Sequence, residues 1–199
     1  MKEVSTRVVT VPNLLTFLRM ALIPVFASLL FYGNSGWALL AFVLAGISDG
    51  ADGFVARRFG QESELGTIID PIADKLLMTT AFIILTLPGT FPPVNYLPVP
   101  FWVSAAVIGR DVLIVTVAAA INVMTGFRGF KPSWLGKLST IVQVLAVGLI
   151  LIAAVFGYTF YLPWVYTAVV LLAALSGFHY IYHVSTLMKQ EEKLEDESK

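Results

Sequence analysis

The 199 residues are 57% hydrophobic and only 13% charged, with 13 Lys and Arg balancing 13 Asp and Glu and no cysteine. A soluble domain carries roughly 25% charged residues, so the composition reads as an all-α integral membrane protein. Zero net charge excludes a global basic field for nucleic acid, and the lack of cysteine excludes disulfides and thiolate chemistry.

The first twenty residues, MKEVSTRVVTVPNLLTFLRM, contain no short apolar run followed by a small-residue cleavage site. They are read as part of the mature chain and not as a signal peptide. Six later stretches approach the roughly 20 apolar residues that a spanning helix needs. They cover residues 14–32, 37–58, 65–87, 101–124, 135–156 and 162–188. One membrane domain over 1–188 is therefore expected, with a charged, frayed tail at 189–199 (KQEEKLEDESK). Lys and Arg gather in alternate connections: Lys2 and Arg7, Arg57 and Arg58, Arg128, Lys131 and Lys137, then Lys189, Lys193 and Lys199. The other connections, GNSG, PGTFPPVNYLPVP and GYTFY, hold none. By the positive-inside rule both termini and the 57–64 loop face the cytoplasm.

Pro12 suits the first turn of a helix, where its missing N–H is unpaired anyway. Arg19 then falls within an apolar run. It either snorkels from a helix that begins along the interface or aims its charge at a bound anionic headgroup.

Between Ser48 and Leu77 the chain collects four carboxylates, Asp49, Asp52, Asp70 and Asp74. Asp49, Asp52 and Ala56 stand at i, i+3 and i+7, and Gly66, Asp70 and Asp74 at i, i+4 and i+8, so each set shares one helical face. If the second and third spans pack antiparallel, the two faces meet near the cytoplasmic boundary. Unpaired carboxylates cannot stay ionised in low dielectric. Arg57, Arg58 and Lys75 are too few to neutralise them if some face solvent. One or two bound divalent ions would, and oxygen donors without His or Cys favour Mg²⁺, Mn²⁺ or Ca²⁺ over zinc. Ion-pair glue or a proton relay is the competing reading. Gly50, Gly53 and Gly66 each accept up to about 1 kcal/mol relative to alanine. They permit close helix packing or the approach of a nucleotide to the backbone. Pro71, early in the third span, should loosen the helix beside Asp70.

The pattern Asp49-x2-Asp52-Gly53-x2-Ala56-Arg57-x8-Gly66-x3-Asp70-x3-Asp74 resembles, without a departure, the signature of the CDP-alcohol phosphotransferase family. VPNLLTFLRMALIPVF and GTIIDPIADKLL look like its branch making anionic glycerophospholipids, which includes phosphatidylglycerophosphate synthase and the single-signature cardiolipin synthase. The resemblance implies six transmembrane helices preceded by an N-terminal interfacial amphipathic segment. It implies CDP-diacylglycerol as donor, with Asp49, Asp52, Asp70 and Asp74 holding two Mg²⁺ or Mn²⁺ ions and Asp74 also acting as general base. Asp52, Gly53, Ala56, Arg57 and Gly66 would line the CDP site. Membrane lipids surround such an enzyme, in a bacterial-type inner membrane, and homodimers are common in the family.

Arg110 lies within the fourth span beside Asp111. It forms a structural pair with Asp111 or a signature aspartate, or it faces the acceptor's phosphate, which is the preferred reading. Arg128, Lys131 and Lys137 are orientation charges or part of the same anion pocket. An anionic glycerol acceptor follows: glycerol 3-phosphate first, phosphatidylglycerol as the alternative. His179 and His183 have zinc-compatible spacing but no third ligand, and with the four tryptophans they read as interfacial anchors. A membrane prenyltransferase would need two separated aspartate clusters, and a transporter would spread its carboxylates through the membrane depth.

Overall fold

A computed structural model describes residues 11–59, 64–91, 96–125 and 134–197, with the backbone alone at 11–12, 51–59, 64–65, 67–68, 124–125 and 187–197. Among these residues the chain forms six helices: α1 (Val11–Phe31), α2 (Ser35–Phe59), α3 (Glu64–Thr86), α4 (Phe101–Thr125), α5 (Trp134–Phe156) and α6 (Leu162–Glu197). The first five end within a few residues of the apolar boundaries. The sixth does not. It continues as helix through Glu197, where a frayed tail after residue 188 was expected. Gln, Glu, Lys and Leu dominate that segment, and all are good helix formers, so a helix already nucleated by its apolar part propagates through it.

Among the described residues, four helices are long and apolar enough to cross a membrane: Asn13–Phe31, Phe101–Val123, Trp134–Phe156 and Leu162–Thr186. α2 contributes a shorter apolar stretch, Ser35–Gly50, and the apolar run of α3 is interrupted by Asp70, Asp74 and Lys75. The expected N-terminal interfacial segment precedes the first span, and residues 1–10 lie outside the described residues.

The chain divides into two compact units. One holds Met1–Pro100 with Val147–Leu162, the other Phe101–Ala146 with Pro163–Lys199. In the first, α1 and α2 form a helical hairpin across three residues. Gly33 ends α1 at φ 74°. Its N–H bonds the Leu30 carbonyl at 3.0 Å, and the Asn34 N–H bonds that of Leu29 at 2.8 Å. This is a Schellman cap, which needs a left-handed residue at Gly33. The Asn34 carbonyl in turn accepts from Ala38 at the start of α2. The seam runs antiparallel in constant register: Phe26 meets Phe42 at 5.9 Å between ring centroids, and seven residues back along α1 and seven forward along α2, Arg19 meets Asp49. α1 packs along α3 as well. Gly157, at φ 78°, closes α5 with a single bond from its N–H to the Ala153 carbonyl, 2.8 Å long.

Over the first turns of α1 exposure runs opposite to a soluble protein. Leu14, Phe17 and Leu18 on α1 are 45–56% exposed, whereas Asn13, Thr16 and Arg19 on the same helix are at most 2% exposed. Every tryptophan, Trp37, Trp102, Trp134 and Trp164, is exposed and stands in the first turn of its helix. That position suits the interface anchors expected from sequence.

Candidate active site

α1 supplies the scaffold. Asn13, Thr16 and Arg19 recur at intervals of three, which puts them on one face, and a polar group buried there needs a partner. Two of those partners are signature carboxylates. Arg19 Nη2 stands 2.9 Å from Asp49 Oδ1 on α2. The Thr16 hydroxyl donates to Asp70 Oδ1 on α3. Residues three apart on a helix are neighbours, about 5–6 Å between Cβ atoms. One face of α1 therefore gathers an aspartate from each of the two other helices.

This placement corrects the snorkelling reading of Arg19. Its side chain is wholly buried and its Nη2 is directed at Asp49. The reason is electrostatic: a guanidinium within an apolar helix is strongly destabilising unless a carboxylate meets it. Asp49 itself stays open, with its side chain 54% exposed. Next to it Ser48 turns its hydroxyl back to the Leu44 carbonyl, 2.8 Å away.

On α3, Gly66 is buried and lines a narrow crevice with Asn13, Thr16, Phe17 and Ile69. Asp70 and Asp74 are half-buried one turn apart. Pro71 lies inside the helix, where it cannot donate to the Thr67 carbonyl, so the turn carrying Asp70 lacks one rung of its ladder. Asp52, Gly53, Ala56 and Arg57 fall on α2 at the expected register; the side chains beyond Gly50 on that helix lie outside the described residues. At Gly50, an added Cβ would meet no described atom within 4 Å. Packing among the described residues therefore does not demand glycine there.

The donors suit a hard divalent cation. Asp49, Asp70 and Asp74 offer only carboxylate oxygens, the preference of Mg²⁺ and Mn²⁺. Arg19 and Thr16 each engage Oδ1 of their carboxylate, and a carboxylate has a second oxygen to give. Among the described residues no three His, Asp or Glu side chains converge closely enough to hold an ion. Asp52, the fourth member of the set, has its side chain outside them.

In the second unit Arg110 is buried, 9% exposed. Its Nη1 lies 2.6 Å from Asp111 Oδ1. Its Nε and Nη2 donate to the Ser176 hydroxyl on α6 at 3.2 and 2.7 Å, and Nη2 reaches the Gly136 carbonyl of α5 at 3.5 Å. Of the structural pairs weighed for Arg110, the one with Asp111 forms. Beside it α4 and α6 leave an apolar cleft of about 250 Å³, lined by Ala106, Gly109, Leu113, Ala173, Gly177 and Phe178 among others. Lys137 is exposed near the start of α5. Arg128 and Lys131 lie outside the described residues. His179 and His183 stack at 6.1 Å with rings 12° from parallel.

Sequence reasoning did not find Thr16, the Arg19–Asp49 pair or Ser176. The signal for a buried polar face holding Thr16 and Arg19 was present, since Asn, Thr and Arg at i, i+3 and i+6 mark a polar stripe through an apolar helix, but nothing in it pointed to Asp49 as the partner. Nothing local distinguishes Ser176 from any helical serine.

The family model for CDP-alcohol phosphatidyltransferase matches residues 9–180. A Mycobacterium tuberculosis protein named "Probable phosphatidylglycerophosphate synthase" is 34% identical over 184 residues, covering 88% of this chain and 81% of its own length. Cardiolipin synthase (CMP-forming) of Homo sapiens is 34% identical over 193 residues, covering 86% of this chain and 61% of its own. The enzyme of the same name from Rattus norvegicus is 33% identical over 193 residues, covering 87% and 61%.

Proposed function

The chain belongs to the CDP-alcohol phosphatidyltransferase family, and from that premise we propose that it transfers the phosphatidyl group of CDP-diacylglycerol to the hydroxyl of glycerol 3-phosphate. The products are phosphatidylglycerophosphate and CMP. The observation that carries this reading is the gathering of Asp49 and Asp70, from two helices, on one buried polar face of α1.

Asp49, Asp52, Asp70 and Asp74 would hold two divalent ions, Mg²⁺ or Mn²⁺, which when bound neutralise charge on the diphosphate. The chain's own residues do the rest. Gly53, Ala56, Arg57 and Gly66, with Asp52, bind the CDP moiety. Asp74 takes the proton from the acceptor hydroxyl, whose oxygen bonds to the phosphorus bearing the diacylglycerol. The bond from that phosphorus to the bridging oxygen breaks, and CMP leaves with the electron pair. Arg110 and Lys137, with Arg128 and Lys131, attract the acceptor's phosphate. Six spanning helices in one domain, with the aspartates and both termini on the cytoplasmic side, let CMP depart to water while acyl chains stay in lipid. A second copy of the chain completes the functional unit.

A second reading takes phosphatidylglycerol as acceptor and gives cardiolipin. The apolar cleft beside Arg110 favours it, since that lining suits an acyl chain next to a phosphate-binding cation. Supplying the two acceptors separately to the purified protein, with CDP-diacylglycerol, and weighing the lipid product decides between them. The mass of phosphatidylglycerophosphate is the expected result; cardiolipin alone would move the assignment to the second reading.

A further inference from the structure

We propose that Thr16 and Arg19 on α1 are positioning residues for the carboxylates of α2 and α3. The inference rests on reading Asp49 and Asp70 as metal ligands. Neither α1 residue belongs to the aspartate pattern, and neither bears a metal-ligating carboxylate, yet each grips one oxygen of a different signature aspartate.

Burial explains why the grip matters. Thr16 is 2% exposed and Arg19 is not exposed at all, so both act from behind the carboxylates and not from the side open to ligands. Asp49, by contrast, is more than half exposed. A free aspartate on a helix samples several rotamers. A hydrogen bond to one oxygen selects a rotamer and aims the other oxygen, and groups that orient metal ligands in this way typically change metal affinity or activity 10–100-fold when removed. The two residues also solve different problems. Thr16 orients Asp70 without charge. Arg19 orients Asp49 through a charged contact, Nη2 to Oδ1 at 2.9 Å. Because both stand on a single rigid helix, they fix the spacing between the α2 and α3 carboxylates together.

The test measures Mn²⁺ binding to the metal-free purified protein by electron paramagnetic resonance titration, alongside CMP release. Thr16→Val removes the hydroxyl at nearly constant shape. It should weaken Mn²⁺ binding about 10–100-fold with helix content unchanged. Arg19→Lys keeps the charge and loses the fork, and should weaken binding at least several-fold. Thr16→Ser keeps the donor and should bind Mn²⁺ like the wild type. It also covers the case in which Thr16→Val does not fold: a folded Thr16→Ser that binds Mn²⁺ tenfold more weakly would show that packing of the methyl matters and would overturn the proposal. Wild-type affinity in folded Thr16→Val or Arg19→Lys would overturn it equally. If the wild type itself neither binds Mn²⁺ nor releases CMP, the failure belongs to the reading of the site as a metal-dependent transferase.

Discussion

At the scale of single residues, the proposed function gives the identical side chains of Asp74 and Asp70 different work. Both are half-buried, one turn apart on α3, but Thr16 holds an oxygen of Asp70. Asp74, a turn further along the helix, is the proposed general base. Asp74→Asn keeps the shape and removes the base, so kcat should fall about 10²–10⁴-fold while circular dichroism stays that of the wild type; steady-state CMP release gives the number. Turnover at the wild-type rate would remove Asp74 from its role. The aspartates and their spacing were legible because helical periodicity alone sorts them onto faces. The Arg19–Asp49 pair was not, because periodicity on one helix says nothing about which neighbour it meets.

At the scale of elements, the helix boundaries follow from apolar run length and from glycine. Gly33 and Gly157 stand at positive φ, and an L-residue there costs roughly 1–2 kcal/mol. An added Cβ at Gly33 would meet nothing within 4 Å, so the penalty is conformational and not steric. Gly33→Ala should therefore lower stability in detergent by about 1–2 kcal/mol, measured by thermal unfolding, without altering Mn²⁺ affinity. The α1–α2 hairpin was readable from GNSG between two apolar runs. Its consequence was not: the turn sets the register that brings Arg19 to Asp49. The extension of α6 to Glu197 was misread because charge density was taken as a sign of fraying, although Glu, Lys and Gln favour helix.

At the scale of the whole molecule, many large apolar side chains are exposed while several polar ones are buried, and each compact unit carries buried polar residues of its own. One gathers Asn13, Thr16, Arg19 and Ser48, the other Arg110, Ser139, Gln143 and Ser176. Integral membrane character was legible from composition, and the family from eight spaced positions. The acceptor was not; the pairing of Arg110 with its neighbour Asp111 was among the readings of the sequence, but its contact with Ser176 on α6 could not be foreseen from neighbours in sequence. The central claim is that these carboxylates serve a divalent-ion-dependent transfer from CDP-diacylglycerol. Its most direct test is CMP release by the purified protein given CDP-diacylglycerol and glycerol 3-phosphate, before and after EDTA. Release that stops with EDTA and returns with Mg²⁺ or Mn²⁺ is the predicted result; release unaffected by EDTA would contradict the account.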